Sequence, residues 1–429
     1  MSSNVESNRP PKAQAISSRG VGSYVGLVIV LGILGALVAQ WSNLPAPPAF
    51  HVQDQPAAQD MLRGQSSLYR VRQVSDGVTA EVHSASVVEI ENGILSAVWY
   101  GGTREGSRDT VIMQATLNLH DKAPQPRSQN STSDEEVTAT NGDSAQGGFS
   151  SWSASHAIAS RELAQKDLSR YIKKLGNPVI TKDSYGRVWL FYVTVSVGGW
   201  AGSSIAVMYS DDNGQTWGPS RRIVSSPFIN ISTLVKSKPF YYEDGTMGLP
   251  VYHEFIGKFP EIIRIDKNGE LLGKQRLWWA RGALQPLVVP VSEDDAVVFL
   301  RSARTKLNRI LRKEIQRHSK ENVVPEAVSL FNPNSGLSAL RRADGSLLMV
   351  FNNSPDQRNI LSLAYSEDNG QQWAVIHDFE NESKMRANRF GYPTLIQSKG
   401  GSYHMLYTWK RTHIKHVEFN DVWLEGLLK

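Results

Sequence analysis

Hydropathy divides the chain into three zones. Residues 1–20 are polar, with Arg9, Lys12 and Arg19 against Glu6. No Asp, Glu, Lys or Arg then occurs between Arg19 and Asp54, and residues 21–38 read VGSYVGLVIVLGILGALV. A helix of about 20 apolar residues crosses a hydrocarbon core of ~30 Å. The pattern therefore predicts a single transmembrane anchor over residues 21–41, with Trp41 at the far interface. The basic flank is N-terminal, which makes residues 1–20 a cytoplasmic tail and puts the rest outside the cytoplasm, periplasmic or extracellular. A cleaved signal peptide fits less well, because the polar leader is long and Leu37-Val38-Ala39 is a poor small-x-small site. A buried core helix is the third reading.

Beyond the apolar run, residues 42–65 are rich in Pro, Ala and Gln and read as a semi-rigid spacer. From residue 66 to 429 the pattern changes to short alternating segments between turn signals. Examples are residues 86–100 (SVVEIENGILSAVWY), 183–195 (DSYGRVWLFYVTV), 341–352 (RRADGSLLMVFN) and 398–409 (SKGGSYHMLYTW). A polar turn followed by alternating apolar and aromatic positions is a β-hairpin signal. Residues 122–151 break the pattern with a Ser-, Asn-, Thr- and Gln-rich stretch, expected as a solvated surface insertion. Residues 159–174 carry helical spacing and predict one short helix.

One turn recurs. Ser210–Trp217 (SDDNGQTW) fits S-x-D-x-G-x-T-W, and Ser366–Trp373 (SEDNGQQW) fits it with Gln for Thr. Two decayed copies lie between them, at Asp266–Gly269 and at residues 319–322 after a basic strand over Arg309–Arg317. Asp212, Asp266, Glu321 and Asp368 follow one another at 54, 55 and 47 residues. A period of about 50 residues with three or four strands per unit is the signature of propeller blades. The length of the region gives about six, with seven also open. Within the turn the Asp accepts backbone N–H bonds, Gly supplies a positive φ and Trp packs between strands, so these boxes are structural.

Composition narrows the chemistry. The 429 residues contain no Cys, which excludes a disulfide scaffold, thiol catalysis and Cys-ligated metal centres. A net charge of +5 is mild at this length; it admits anionic partners and gives no indication of nucleic acid. The basic run at residues 304–320 lacks interleaved aromatics and reads as a solvated face. No His, Asp and Glu spacing matches a metal site, and no cofactor is implied.

The repeated box, with HSAS (83–86), GGTREG (101–106), GNP (176–178), KSKP (236–239), NPNSG (332–336) and GYP (391–393), resembles the sialidase (neuraminidase) superfamily. The likeness is to bacterial sialidase-like BNR-repeat proteins, over roughly residues 75–420. It implies an all-β fold, a six-bladed β-propeller, here preceded by the single N-terminal transmembrane helix. It also implies three arginines that grip a carboxylate, a tyrosine nucleophile with a glutamate partner, and an aspartate acid/base. Carried over position by position, Asp109 falls at the acid/base, five residues after Arg104. Arg301 and Arg358 suit the second and third arginines, and Tyr392 the nucleophile. Two positions depart: His83 stands where the first arginine is implied, and Gln285 where the glutamate is, with Glu254 the nearest alternative carboxylate. Lys238 and Asn334 are further candidates for substrate binding beside recurring turns.

The departures bear on the chemistry. A phenol with a pKa of about 10 is a weak nucleophile without a neighbouring base or a strong positive field. Gln can hydrogen-bond it but cannot take its proton. The expectation is a membrane-anchored, exo-acting glycoside hydrolase on an acidic sugar of an extracytoplasmic glycan or polysaccharide. Two alternatives stand beside it: a non-catalytic carbohydrate-binding propeller, and a lyase acting on a uronic-acid-containing polysaccharide.

Overall fold

The segment Val188–Val195 (VWLFYVTV) is buried along its whole length. Successive side chains of a strand point to opposite faces. Trp189, Phe191, Val193 and Val195 therefore enter one apolar cluster, while Val188, Leu190 and Tyr192 enter another. A strand with both faces buried lies in a sheet sandwiched between two others. Repeated around an axis, that arrangement is a propeller. Each large side chain buried this way contributes roughly 1.5–3 kcal/mol relative to exposure.

The computed structural model describes residues 19–42, 47–52, 65–121, 151–226, 230, 232–255, 257–303, 307–318, 323–382 and 390–429. The chain divides into two compact units, residues 1–46 and 47–429. In the second, strand β1 (Tyr69–Gln73) is followed by six antiparallel sheets. Blade one holds β2 (Glu81–Glu91), β3 (Ile94–Gly102), β4 (Val111–Asn118) and β5 (His156–Ala159). Blade two holds β6 (Lys174–Lys182), β7 (Val188–Val195), β8 (Ser203–Ser210) and β9 (Arg221–Arg222). Blade three has a split inner strand, β10 (Leu234–Val235) and β11 (Phe240–Tyr241), then β12 (Met247–His253), β13 (Phe259–Ile265) and β14 (Leu271–Arg276). Blade four is β15 (Ala283–Pro290), β16 (Asp295–Ser302), β17 (Arg309–Gln316) and β18 (Glu326–Phe331). Blade five is β19 (Ser338–Arg341), β20 (Leu347–Phe351), β21 (Ile360–Ser366) and β22 (Ala374–Asn381). Blade six is β23 (Phe390–Gln397), β24 (Tyr403–Trp409) and β25 (His413–Phe419), and β1 pairs with β25 as its outer strand. The two ends of the propeller chain thus close the ring, and six blades, not seven, result. The C-terminal helix Asp421–Leu428 seals the closure: Trp423 stacks on Tyr69, and Arg342, 2% exposed, pairs with Asp421 at 3.0 Å and Glu425 at 3.1 Å.

The described boxes occupy the same turn, between third and fourth strands, of blades two, three and five. Asp212 accepts from the Thr216 N–H at 2.8 Å and from the Ser210 hydroxyl at 2.6 Å, and Gly214 takes φ +84°. These bonds hold the Asp212 carboxyl down at about 2. The decayed copy keeps the same device, with Asp266 accepting from the Asn268 and Glu270 N–H groups at 2.8 Å. The tryptophans pack between blades rather than between strands. Trp217 donates to Gln114 of β4 at 3.1 Å, and Trp373 lies edge-on to Phe299 of β16. The copy at residues 319–322 and the insertion at 122–151, apart from Ser151, fall outside the described residues.

Other expectations change in detail. The helix expected over 159–174 is confined to Arg161–Leu168, with Ser160 as N-cap, because β5 precedes it and β6 begins at Lys174. Part of the expected spacer belongs to the propeller. Phe50, 2% exposed, packs on Phe240 and Tyr242, and the Phe50 N–H donates to the Glu293 carbonyl at 2.8 Å. The remaining spacer, residues 43–46 and 53–64, and the tail before Arg19 lie outside the described residues.

In the first unit, Arg19–Ser42 forms one 24-residue α-helix. Its side chains are described over residues 24–36, where Val25, Leu27, Val28, Ile29, Val30, Leu31 and Ile33 are exposed. Among the described residues no helix is long and apolar enough to cross a membrane.

Candidate functional site

Inner strands of a propeller run side by side along one axis, so their starting ends share one mouth. Four of them carry an irregularity near that end: the register of β2, β6, β15 and β23 against its neighbour shifts at residues 83–86, 176–179, 284–287 and 391–394. The residue at each shift sits in the left-handed region: Ser84 (φ 55°), Asn177 (41°), Gln285 (51°) and Tyr392 (52°). Asn334 (56°), ahead of β19, is the fifth. Non-glycine residues occupy this region at a cost of order 1–3 kcal/mol, tolerated where the surroundings enforce it. Here the bulges turn side chains from different blades toward one another.

The resulting cluster is continuous. The Gln285 amide donates to the Tyr392 and Tyr252 hydroxyls, both at 3.4 Å, and accepts from Arg301 Nη1 at 3.2 Å. Asn177 donates to Tyr252 at 3.3 Å. Arg301 Nε donates to the Asn334 side-chain oxygen at 2.5 Å, and Arg358 to the Asn334 carbonyl at 3.1 Å. The His83 ring lies edge-on to Tyr392 at 4.4 Å and shares a 3.0 Å hydrogen bond with Thr408. The Lys236 ammonium donates to the Pro393 carbonyl at 3.0 Å and lies 5.8 Å from the Tyr392 ring; Arg358 lies 6.0 Å from it. Tyr392, His83, Gln285, Arg301, Arg358 and Asn334, scattered over the sequence, are thus assembled together.

Four expected residues stand differently. The described contacts of Asp109 stay within its own loop. Its carboxylate accepts from the Thr103 N–H at 2.8 Å, from the Thr103 hydroxyl at 2.5 Å and from Ser107. The Ser107 and Thr103 bonds bring its carboxyl down to about 2. Arg104 is exposed in the same loop. Glu254 follows β12 and acts on the cluster through the field it exerts on Tyr252. Lys238 lies further along the axis, its ammonium on the Val87 carbonyl.

The structure also adds residues. Arg411, in the turn after β24, pairs with Glu105 at 2.7 Å. Burial first, and the Glu105 carboxylate second, push the Tyr100 hydroxyl well above the usual phenol range. Arg358 feels Tyr392, Arg301, Arg411 and Glu105, and its own pKa is lowered chiefly by burial. His83 is lowered well below the usual range by burial, then by Arg411, Arg358 and Lys236, so it is a neutral imidazole at pH 7. Arg301 and Arg358 are thus joined through Asn334, and Arg411, paired to Glu105, is near enough to act electrostatically on Arg358 and His83, an arrangement that favours a bound anion. Nothing in the local sequence marked Arg411. Its φ of +60°, in the turn Lys410-Arg411, is a product of the turn between β24 and β25.

Residues 93–405 match the model of the BNR repeat-like domain. The chain belongs to the BNR repeat-like family. Sialidases are among the solved structures it resembles. The Hadza microbial sialidase Hz136 superposes with a TM-score of 0.59 at 16% identity, covering 80% of this chain and 66% of that one. An intramolecular trans-sialidase from Ruminococcus gnavus gives 0.55 at 11% identity, with 82% and 96% covered. A protein of unknown function from Dyadobacter fermentans gives 0.58 at 12% identity, with 82% and 99% covered. No curated protein matches the chain. At these identities the likeness shows the fold: a BNR-repeat propeller of the sialidase type. Among the described residues no group of three or more His, Asp or Glu is placed to hold a metal ion.

Proposed function

We propose that this propeller is a glycoside hydrolase of the sialidase type that acts on an acidic sugar of an extracytoplasmic glycan or polysaccharide. The observation that carries the reading is the pair Arg301 and Arg358, joined through Asn334 beside Tyr392, with Arg411 close enough to act on Arg358. In this reading the guanidiniums hold the sugar's carboxylate, and Arg411 does the work that His83, a neutral ring, cannot. Tyr392 faces the anomeric carbon. A tyrosine nucleophile is a recognised exception to the two-carboxylate scheme. Gln285 donates to the Tyr392 oxygen, and the surrounding cations favour negative charge there. Two carboxylates of the loop after β3, Asp109 and Glu105, are the candidates for the acid/base at the leaving oxygen.

We further propose, from the charge-free run of residues 21–38 and its basic N-terminal flank, that the chain is anchored there with the propeller outside the cytoplasm. The test uses full-length protein with aryl sialosides and aryl uronosides. Turnover is expected with one class, lost at least 100-fold in Tyr392→Phe and in one of Asp109→Ala and Glu105→Gln, which identifies the acid/base. Saturable binding of an acidic polysaccharide with no turnover would establish the non-catalytic reading, which Gln285 in place of a carboxylate favours. An unsaturated product absorbing in the near ultraviolet would establish the lyase.

A further inference from the structure

The far ends of the inner strands enclose a second space. A cavity of about 600 Å³ is lined from all six blades, by Val88, Thr181, Phe240, Leu287, Leu340 and Leu395 among others. The site above is built from the starting ends of the same strands, so this cavity belongs to the opposite end of the axis. Lys236 and Lys238, from the split inner strand of blade three, stand between the two. Lys236 reaches the Pro393 carbonyl of blade six and Lys238 the Val87 carbonyl of blade one.

The polar groups at this cavity have unfilled capacity. Lys238 lines it, and its ammonium has a backbone carbonyl, not a carboxylate, as described partner. Burial, with Lys236 nearby as a like charge, brings that ammonium down to about 7. Arg341 lines the cavity with its Nε buried and unpartnered, and Gln397 lines it with its side-chain oxygen buried and unpartnered. The Gln397 amide nitrogen donates to the Gly401 carbonyl at 3.2 Å, which leaves that oxygen as a free acceptor. The carboxylates at the cavity do not answer these cations. Glu89 accepts from the Gly93 and Lys399 N–H groups, Glu91 from Asn213, and Asp183 from its own turn and Trp189. Lys182, which lines the cavity together with Lys399, is satisfied by the Ile90 carbonyl and Asn213.

A buried cation without a counter-ion, lining one cavity with an unfilled donor and an unfilled acceptor, calls for a ligand with a carboxylate and a hydroxyl. We propose that this cavity is a second ligand site, distinct from the tyrosine–arginine cluster, for a hydroxycarboxylate of monosaccharide size. Its carboxylate pairs with Lys238 and Arg341, and a hydroxyl donates to Gln397. The volume accommodates a single hexuronic acid, and the strand side chains supply apolar walls.

The test is calorimetric titration of the full-length protein with sodium D-glucuronate, and with methyl glucoside as the neutral control. Arg358→Ala removes a cation of the tyrosine–arginine cluster and isolates the second site. The expected result is glucuronate binding that survives in Arg358→Ala and weakens at least 10-fold when Lys238→Met or Arg341→Gln is added, with no heat from methyl glucoside. Arg341→Gln carries the test alone if Lys238→Met does not fold. Binding that disappears with Arg358→Ala, or that ignores both Lys238→Met and Arg341→Gln, overturns the proposal. Equal binding of methyl glucoside overturns the carboxylate assignment. This outcome is independent of whether the tyrosine cluster turns over any glycoside.

Discussion

Replacing Lys236 by Met should make the protein more stable and less active. Lys236 is 7% exposed, and burial brings its ammonium from 10.5 down to about 8. That gap corresponds to about 3 kcal/mol of penalty for keeping the charge in the folded protein at pH 7. Met fills similar volume without charge. The hydrogen bond to the Pro393 carbonyl is lost, which gives back about 1 kcal/mol. The variant should therefore be about 2 kcal/mol more stable at pH 7. The pH dependence is the sharper check. Between pH 8 and 10.5 the unfolded chain holds the Lys236 proton and the folded protein has released it. The stability of the wild type therefore rises with pH across that window relative to the variant. By pH 10.5 the order should reverse, with the wild type about 1 kcal/mol ahead. Denaturant unfolding of both proteins at pH 7, 9 and 10.5 measures this. A difference that stays constant with pH, or a destabilised variant at pH 7, would refute a buried ammonium without a counter-ion. Activity should fall in the same variant, because a positive charge beneath Tyr392 is removed; stabilisation at the expense of function is the usual mark of a site residue.

Other consequences follow from single contacts. Arg342→Met leaves Asp421 buried without its guanidinium and should destabilise by about 3–5 kcal/mol, read by denaturant unfolding and by earlier loss of the C-terminal helix in hydrogen exchange. Gly214→Ala forces a Cβ to 2.8 Å from Gln114 at φ +84°, and should destabilise by at least about 1 kcal/mol in the same assay. Phe50→Ala should cost about 3–5 kcal/mol and expose residues 47–52 to proteolysis. The His83 ring should show no titration between pH 6 and 8 by NMR, because its charged form is already disfavoured there; a midpoint near 6.5 would contradict its burial among cations.

The repeat and the hairpin signals determined the architecture. Asp212, Asp266 and Asp368 recur because each blade needs the same turn, and a local turn is written in local residues. The six-blade count came from the ring closure of β1 on β25, which joins residues separated by nearly the whole propeller. Tyr392, Gln285, Arg301 and Arg358 were legible through resemblance, since each lies in a short stretch with its own pattern. Arg411 and Glu105 were not, because their pairing depends on how the β24–β25 turn meets the loop after β3. The bonds from Thr103 and Ser107 that hold the Asp109 carboxylate in its own loop come from residues close in sequence but unmarked as a cap. Sequence periodicity specifies which face of a strand is buried. Only packing around the axis decides which residues of six blades meet there.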